Sequence, residues 1–211
     1  GTHKPEVSGS IPLPATILKE LMKKITIIAF ILFFFTDIAS AKCIMGDCKN
    51  EFSKLKEKDG STYTGEFLNN KFNGKGIYIW SDNSKYEGEF KNGLRNGYGF
   101  FQANNGLKFK GIFFNDQYLD GLLTFSNGAT YKGGFKNGKF HGNGVWILKN
   151  NDRYVGKFEN GQISGYAEIF FANGNIYKGN FKKGRKDGKF QIIDSNGEVT
   201  YKNYLNGVLI K

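Results

Sequence analysis

The sequence predicts an all-β chain, an elongated antiparallel single-sheet solenoid built from β-hairpin units about 23 residues long. Three observations predict it. An aromatic-x-Gly-x-Phe pattern recurs six times: Tyr63, Gly65 and Phe67; Tyr86, Gly88 and Phe90; Phe109, Gly111 and Phe113; Tyr131, Gly133 and Phe135; Tyr154, Gly156 and Phe158; Tyr177, Gly179 and Phe181. The steps are 23, 23, 22, 23 and 23 residues. A period in this range marks a repeat array. Within each copy the residues alternate with a period of two, as a strand with one covered face requires. Turn signals arrive every 10–13 residues, most of them Asn-Gly or Asp-Gly, which supply the positive φ angles of tight reversals.

Composition sets the class before any element is placed. Glycine supplies 29 of the 211 residues, proline only 3, and 16% are aromatic, which excludes collagen and argues against disorder. The net charge is +11, with most of the basic excess in the repeat region. Such a balance favours anionic partners, whether phospholipid surfaces, acidic proteins or polyanions.

Residues 1–21 show no hydrophobic period, and Pro5, Pro12 and Pro14 interrupt them, so they read as an upstream, unstructured segment. Residues 22–41 read as a signal peptide: Met22-Lys23-Lys24, an apolar run from Ile25 to Phe35, then Ala39-Ser40-Ala41 as the cleavage site. The run is short of the ~20 residues a spanning helix needs. Export to a periplasm, an outer surface or the medium is expected, with membrane anchoring if the segment stays uncut. Residues 42–58 read as a short linker carrying Cys43 and Cys48. In an exported chain such a pair most simply forms one disulfide. Free thiols and lipidation of Cys43 are the alternatives, and Lys42 just before Cys43 speaks against lipidation. No metal site is expected, because no second cysteine pair or nearby histidine completes a ligand set.

Residues 59–211 form the repeat domain. The second half of each unit carries Gly-x-Gly or its relic, at Gly74 and Gly76, Gly97 and Gly99, Gly142 and Gly144, Gly165 and Ala167, and Gly188 and Phe190. In the third unit Leu119 and Gly121 fit if one turn residue is missing, which also accounts for the 22-residue step. Beyond the second glycine, Tyr78, Trp80, Phe101, Leu123, Phe125, Trp146, Leu148, Ile169, Phe171 and Ile192 fall on one face, so each unit reads as two strands. Hairpins turn at Asn92-Gly93, Asn137-Gly138, Asn160-Gly161 and Asn206-Gly207. The glycine between the aromatics leaves room for a ring of a neighbouring strand to lie over the backbone. A further step of 23 reaches Thr200, Lys202 and Tyr204, a degenerate unit that caps the array.

No set of residues reads as catalytic. His141 is the one histidine in the repeats and has no carboxylate or cysteine motif beside it, so no enzymatic activity and no cofactor are expected. Trp80 and Trp146 fall on the covered face and read as packing rings rather than sugar platforms. One row is suggestive. Directly after the first aromatic stand Thr64, Glu87, Lys110, Lys132, Val155 and Lys178, with Lys202 as the seventh member. Stacked like charges oppose sheet formation mildly, so Lys110, Lys132, Lys178 and Lys202 are the candidate residues for contact with an anionic surface.

The unit Tyr131-Lys132-Gly133-Gly134-Phe135-Lys136-Asn137-Gly138-Lys139-Phe140-His141-Gly142-Asn143-Gly144-Val145-Trp146 resembles the MORN (membrane occupation and recognition nexus) repeat. The resemblance runs from about Asp59 to Gly207, with six clear copies and a degenerate seventh. Departures are phenylalanine where tryptophan is frequent at the third aromatic position, Leu119, Ala167 and a single His-Gly. The resemblance implies a twisted antiparallel sheet of successive hairpins and a non-catalytic role in attaching proteins to membranes, binding acidic phospholipids or scaffolding other proteins. Enzymatic members carry their activity in a separate domain. The expected partner is therefore an unidentified protein, an anionic phospholipid surface, or both. Nucleic acid is not expected, glycan binding is the weakest alternative, and self-association is left open.

Overall fold

A computed structural model describes residues 41–210. The segment 1–21 and the signal peptide read at 22–41 lie outside the described residues, Ala41 apart. The chain divides after Gly138 into two compact units, described in turn.

In residues 41–138 the strands are β1 (Lys42–Met45), β2 (Phe52–Lys56), β3 (Thr62–Leu68), β4 (Lys71–Ile79), β5 (Lys85–Lys91), β6 (Leu94–Gln102), β7 (Lys108–Phe114), β8 (Gln117–Thr124) and β9 (Thr130–Lys136). Each pairs antiparallel with the next. In residues 139–210 the meander comprises β10 (Lys139–Ile147), β11 (Arg153–Glu159), β12 (Gln162–Phe170), β13 (Ile176–Lys182), β14 (Arg185–Lys186), β15 (Gly188–Ile193), β16 (Val199–Leu205) and β17 (Val208–Ile210). Both β14 and β15 pair with β13, being one strand interrupted at Asp187. The all-β hairpin repeat read from the sequence is thus the fold.

The turns follow local chemistry. Asn92, Asn137, Asn160 and Asn206 adopt φ of 51–52°, each followed by a glycine at 70–90°, the two left-handed residues that a two-residue hairpin turn requires. Asn69-Asn70 and Asn115-Asp116 do the same without glycine, because asparagine and aspartate tolerate this region better than other side chains.

One face of each hairpin, the ring face, is packed with aromatics. Tyr63 is fully buried; it stacks on Phe72 at 3.9 Å and meets Phe67 and Phe90 edge-on at 5.1 Å. Phe109 repeats the arrangement with Tyr118, Phe113 and Phe135. The Phe that closes the pattern of one repeat therefore completes the core of the repeat before it, which couples neighbours as in other solenoids. Within residues 139–210, Phe158 plays the same part. It is buried and meets Phe140, on the strand before its own, edge-on at 5.9 Å.

In the first three repeats the ring is seated on a pair of glycines. The Tyr63 ring crosses Gly65 and its cross-strand partner Gly76, and its hydroxyl donates to the Glu66 carbonyl at 2.9 Å. Tyr86 lies in the same way over Gly88 and its partner Gly99, and Phe109 over Gly111 and its partner Gly121. This corrects the role read for the repeat glycine. At Gly65, Gly88 and Gly111 alike, the seated ring belongs to the glycine's own strand, two residues before it, rather than to a neighbouring strand. The reason is the period of two, which puts both residues on one face of one strand.

Two other expectations are corrected. The third repeat keeps its turn: Asn115 and Asp116 have φ of 46° and 66°. Its missing residue lies in the bulge that follows. In the first repeat Asn73, Gly74 and Lys75 stand opposite Glu66 alone, with Gly74 at φ 68°. In the third only Leu119 is extra, between the pairs Ile112↔Asp120 and Phe113↔Tyr118. Leucine is disfavoured at positive φ, so the shorter bulge dispenses with that conformation. Residues 42–58, read as a linker, hold β1 and β2 instead. They cover the free edge of β3, with Ser53 and Leu55 buried against the first repeat.

Candidate functional site

Strand register places each of the four candidate lysines. On the face opposite the rings in residues 41–138, cross-strand partners run Phe100↔Lys110↔Leu122↔Lys132 through β6, β7, β8 and β9. Lys110 and Lys132 are both exposed, and Leu122 between them is 41% exposed. Beside this row Tyr98 pairs with Ile112, 53% and 44% exposed. Of the carboxylates nearby, Glu87, the other cross-strand partner of Phe100, is 2.8 Å from Lys85, and Glu89 accepts the Tyr98 amide. Asp120, the cross-strand partner of Ile112, lies on the same face as the row, two residues from Leu122. The result is two free ammonium groups set among exposed apolar side chains.

The other two lysines are placed differently. Lys178 is 3.3 Å from Glu168, its cross-strand partner. Lys202 is not in the row at all. In β16 Thr200 stands at the first-aromatic position, and the residue after it is Tyr201, which pairs with Gln191, itself the partner of Lys178. Lys202 pairs with Phe190 and shares the ring face with Tyr204. It occupies a repeat glycine's position, and the period-two rule turns its side chain to the other side of the sheet.

Cys43 and Cys48 are joined by a disulfide with Cα atoms 6.0 Å apart. The loop it closes is tied further by Asp47, whose carboxylate accepts the Lys49 and Asn50 amides. Trp146 is buried and Trp80 half-buried against Tyr78 and Phe101. Both lie on the ring face, where they pack rather than form an open platform.

Sequence reasoning missed two buried cations. Five residues after the Phe that closes the pattern, the first core position of each second strand holds Phe72, Arg95, Tyr118, Phe140, Ile163 and Lys186. Arg95 and Lys186 are each only 4% exposed. Arg95 Nε donates to Asp116 Oδ1 at 3.0 Å and its Nη2 to the Asp116 carbonyl at 2.9 Å. Its guanidinium lies 5.1–5.8 Å from the centres of the Phe113, Tyr86, Phe101 and Trp80 rings. Lys186 Nζ lies 4.4 Å from the centre of Tyr177, 4.5 Å from Tyr204 and 5.9 Å from Phe190. Burial, helped by the nearby Lys202 charge, pushes its ammonium down to about 8. Aligning the repeats by the closing Phe of the pattern exposes both residues, because each is a charge in a column otherwise made of aromatic and aliphatic side chains.

The Tyr177 position has a local cause. Phe190 stands at the second glycine of the sixth repeat, and its Cγ lies 2.6 Å from where a Gly179 side chain would begin. Phe190 therefore takes the glycine seat, while Tyr177 packs edge-on against Phe171 at 4.9 Å and over Lys186.

The family model for the MORN repeat matches residues 63–85, 86–108, 131–153, 154–176 and 177–189. The third repeat, with its shortened bulge, and the degenerate seventh lie outside these matches. No curated protein matches the chain. Among solved structures, the TCP domain of Drosophila melanogaster SAS-4 (dCPAP), solved in complex with a proline-rich motif of Ana2, is 12% identical over 97% of this chain and 98% of that one, with a TM-score of 0.49. The TCP10c domain of Drosophila melanogaster Sas-4 is 16% identical over 76% of this chain and 97% of that one, with a TM-score of 0.42. Likenesses this distant say nothing of what this chain binds. Five matched copies in register with the hairpins described above make the chain a member of the MORN-repeat family.

Proposed function

We propose that the chain is a non-catalytic, exported adaptor that associates with anionic membrane surfaces through the face of residues 41–138 opposite the rings. MORN repeats support a role in protein interaction or membrane association. The observation that carries the finer reading is the row Phe100–Lys110–Leu122–Lys132 with Tyr98 and Ile112 beside it. Amphipathic side chains suit the headgroup region, and lysines near an anionic bilayer each contribute ~1 kcal/mol. The oxidised Cys43–Cys48 pair accords with a compartment outside the cytosol.

Flotation with vesicles of phosphatidylcholine, with and without phosphatidylserine, tests this. Replacing Lys110 and Lys132 by glutamine should weaken binding to the anionic vesicles roughly 30-fold, from ~2 kcal/mol in total. The double change Lys178→Gln and Lys202→Gln should have little effect, because one side chain is already paired and the other lies on the ring face. Equal losses from both pairs, or binding that ignores phosphatidylserine, would refute the reading.

A further inference from the structure

Arg95 and Lys186 occupy the same place in two repeats. Each lies opposite the aromatic that closes the pattern in its own hairpin, Phe90 or Phe181. Each faces the first aromatic of its own repeat, Tyr86 or Tyr177, and the closing aromatic of the next, Phe113 or Tyr204. Each accepts at its carbonyl an amide from the second turn residue of the next hairpin, Asp116 or Gly207. The sites differ in their acid. Asp116 brings a carboxylate down onto Arg95, whereas Gly207 carries no side chain.

Around Lys186 the other charges do not replace that acid. Lys202 adds a second positive charge on the same face. The Asp187 carboxylate faces the turn, accepting the Asn206 amide at 3.3 Å. Glu168 is held by Lys178. Among the described residues no carboxylate lies within salt-bridge distance of Lys186. A buried ammonium without a counter-charge is costly to keep, and ring faces offset only part of that cost.

We propose that Lys186, with Lys202 beside it, receives one side-chain carboxylate of a partner protein, the acid that the chain supplies to itself at Arg95. The twin site defines the chemistry: an aspartate carboxylate entering over a hairpin turn. Leu209, the cross-strand partner of Tyr204, is 46% exposed and offers apolar ground beside the residue whose ring faces the ammonium. The segment recognised is therefore a glutamate or aspartate flanked by apolar residues. This inference is independent of the membrane reading, which concerns other residues, all within 41–138.

The test uses the full chain with lysine side chains labelled for NMR, titrated with acetyl-Leu-Glu-Leu-amide, its glutamine counterpart and inorganic phosphate. The Lys186 signal should move saturably with the glutamate peptide and not with the glutamine one. Gly207→Asp, which rebuilds the Arg95 arrangement, and Lys186→Met, which removes the charge and keeps the bulk, should each weaken binding at least ~10-fold, or ~1.4 kcal/mol. Urea midpoints confirm that both variants fold. A Lys186 signal that ignores the glutamate peptide, or follows both peptides equally, overturns the proposal. A response to phosphate alone overturns it too, assigning the site to phosphate-bearing ligands.

Discussion

Replacing Gly76 by alanine tests whether the glycine pairs are seats for rings. A methyl group there would lie 2.5 Å from Tyr63 Cε2 and 2.6 Å from Cζ, with the hydroxyl oxygen also in its way. Ordinary carbon contacts need 3.5–4.0 Å, so the ring must move by about 1 Å. It has nowhere to go: it is fully buried, stacked on Phe72, edged by Phe67 and Phe90, and tied by its hydroxyl to the Glu66 carbonyl. Overpacking of this kind costs ~1–3 kcal/mol, and the strained hydrogen bond adds ~1 kcal/mol. The reduced freedom of the unfolded alanine chain returns ~0.4–1 kcal/mol. The expected net loss is ~2–3 kcal/mol, read as a lower urea midpoint at unchanged slope. The control is Ala167→Gly. Ala167 is the cross-strand partner of Gly156 in the fifth repeat and stands where Gly76 stands in the first, so Ala167→Gly should cost only ~1–2 kcal/mol, the sum of one buried methyl and a freer unfolded chain, with no ring to displace. A Gly76→Ala chain as stable as the parent would refute the seating argument.

Two further predictions concern the buried cations. Asp116→Asn should destabilise the chain by ~3–5 kcal/mol, because it leaves the Arg95 guanidinium buried without its counter-charge; combined with Arg95→Met the loss should largely disappear, and a chemical-denaturation cycle of the four chains measures it. Lys186 titrates near 8 in the fold against 10.5 for an ordinary lysine. Between those values the unfolded state binds more protons, so stability should rise with pH across roughly 8 to 10.5 by up to ~3 kcal/mol. Urea midpoints of the native chain minus those of Lys186→Met should show this rise, and a flat difference would contradict it.

The repeat, the two strands per unit, the turns and the covered face follow from the order of residues alone. All of these depend on spacing along one chain: a period of two for side-chain direction, and asparagine or glycine where φ is positive. What it could not show depends on which residue lies opposite which. A residue lost from a turn and one lost from the bulge after it look alike in a 22-residue step, and only the pairing of Ile112 with Asp120 places the loss after the turn. Lys202 is a different case: it lies 24 residues after Lys178, one beyond the 23-residue period, so spacing alone already puts Tyr201 in the row and Lys202 at a glycine position, as the pairing of β15 with β16 has it. The buried cations are the clearest case. Arg95 and Asp116 are 21 residues apart, and nothing local joins them. Their pairing, and the absence of its counterpart at Lys186, comes from hairpins stacking in register, which carries one turn over the core position of the hairpin before it.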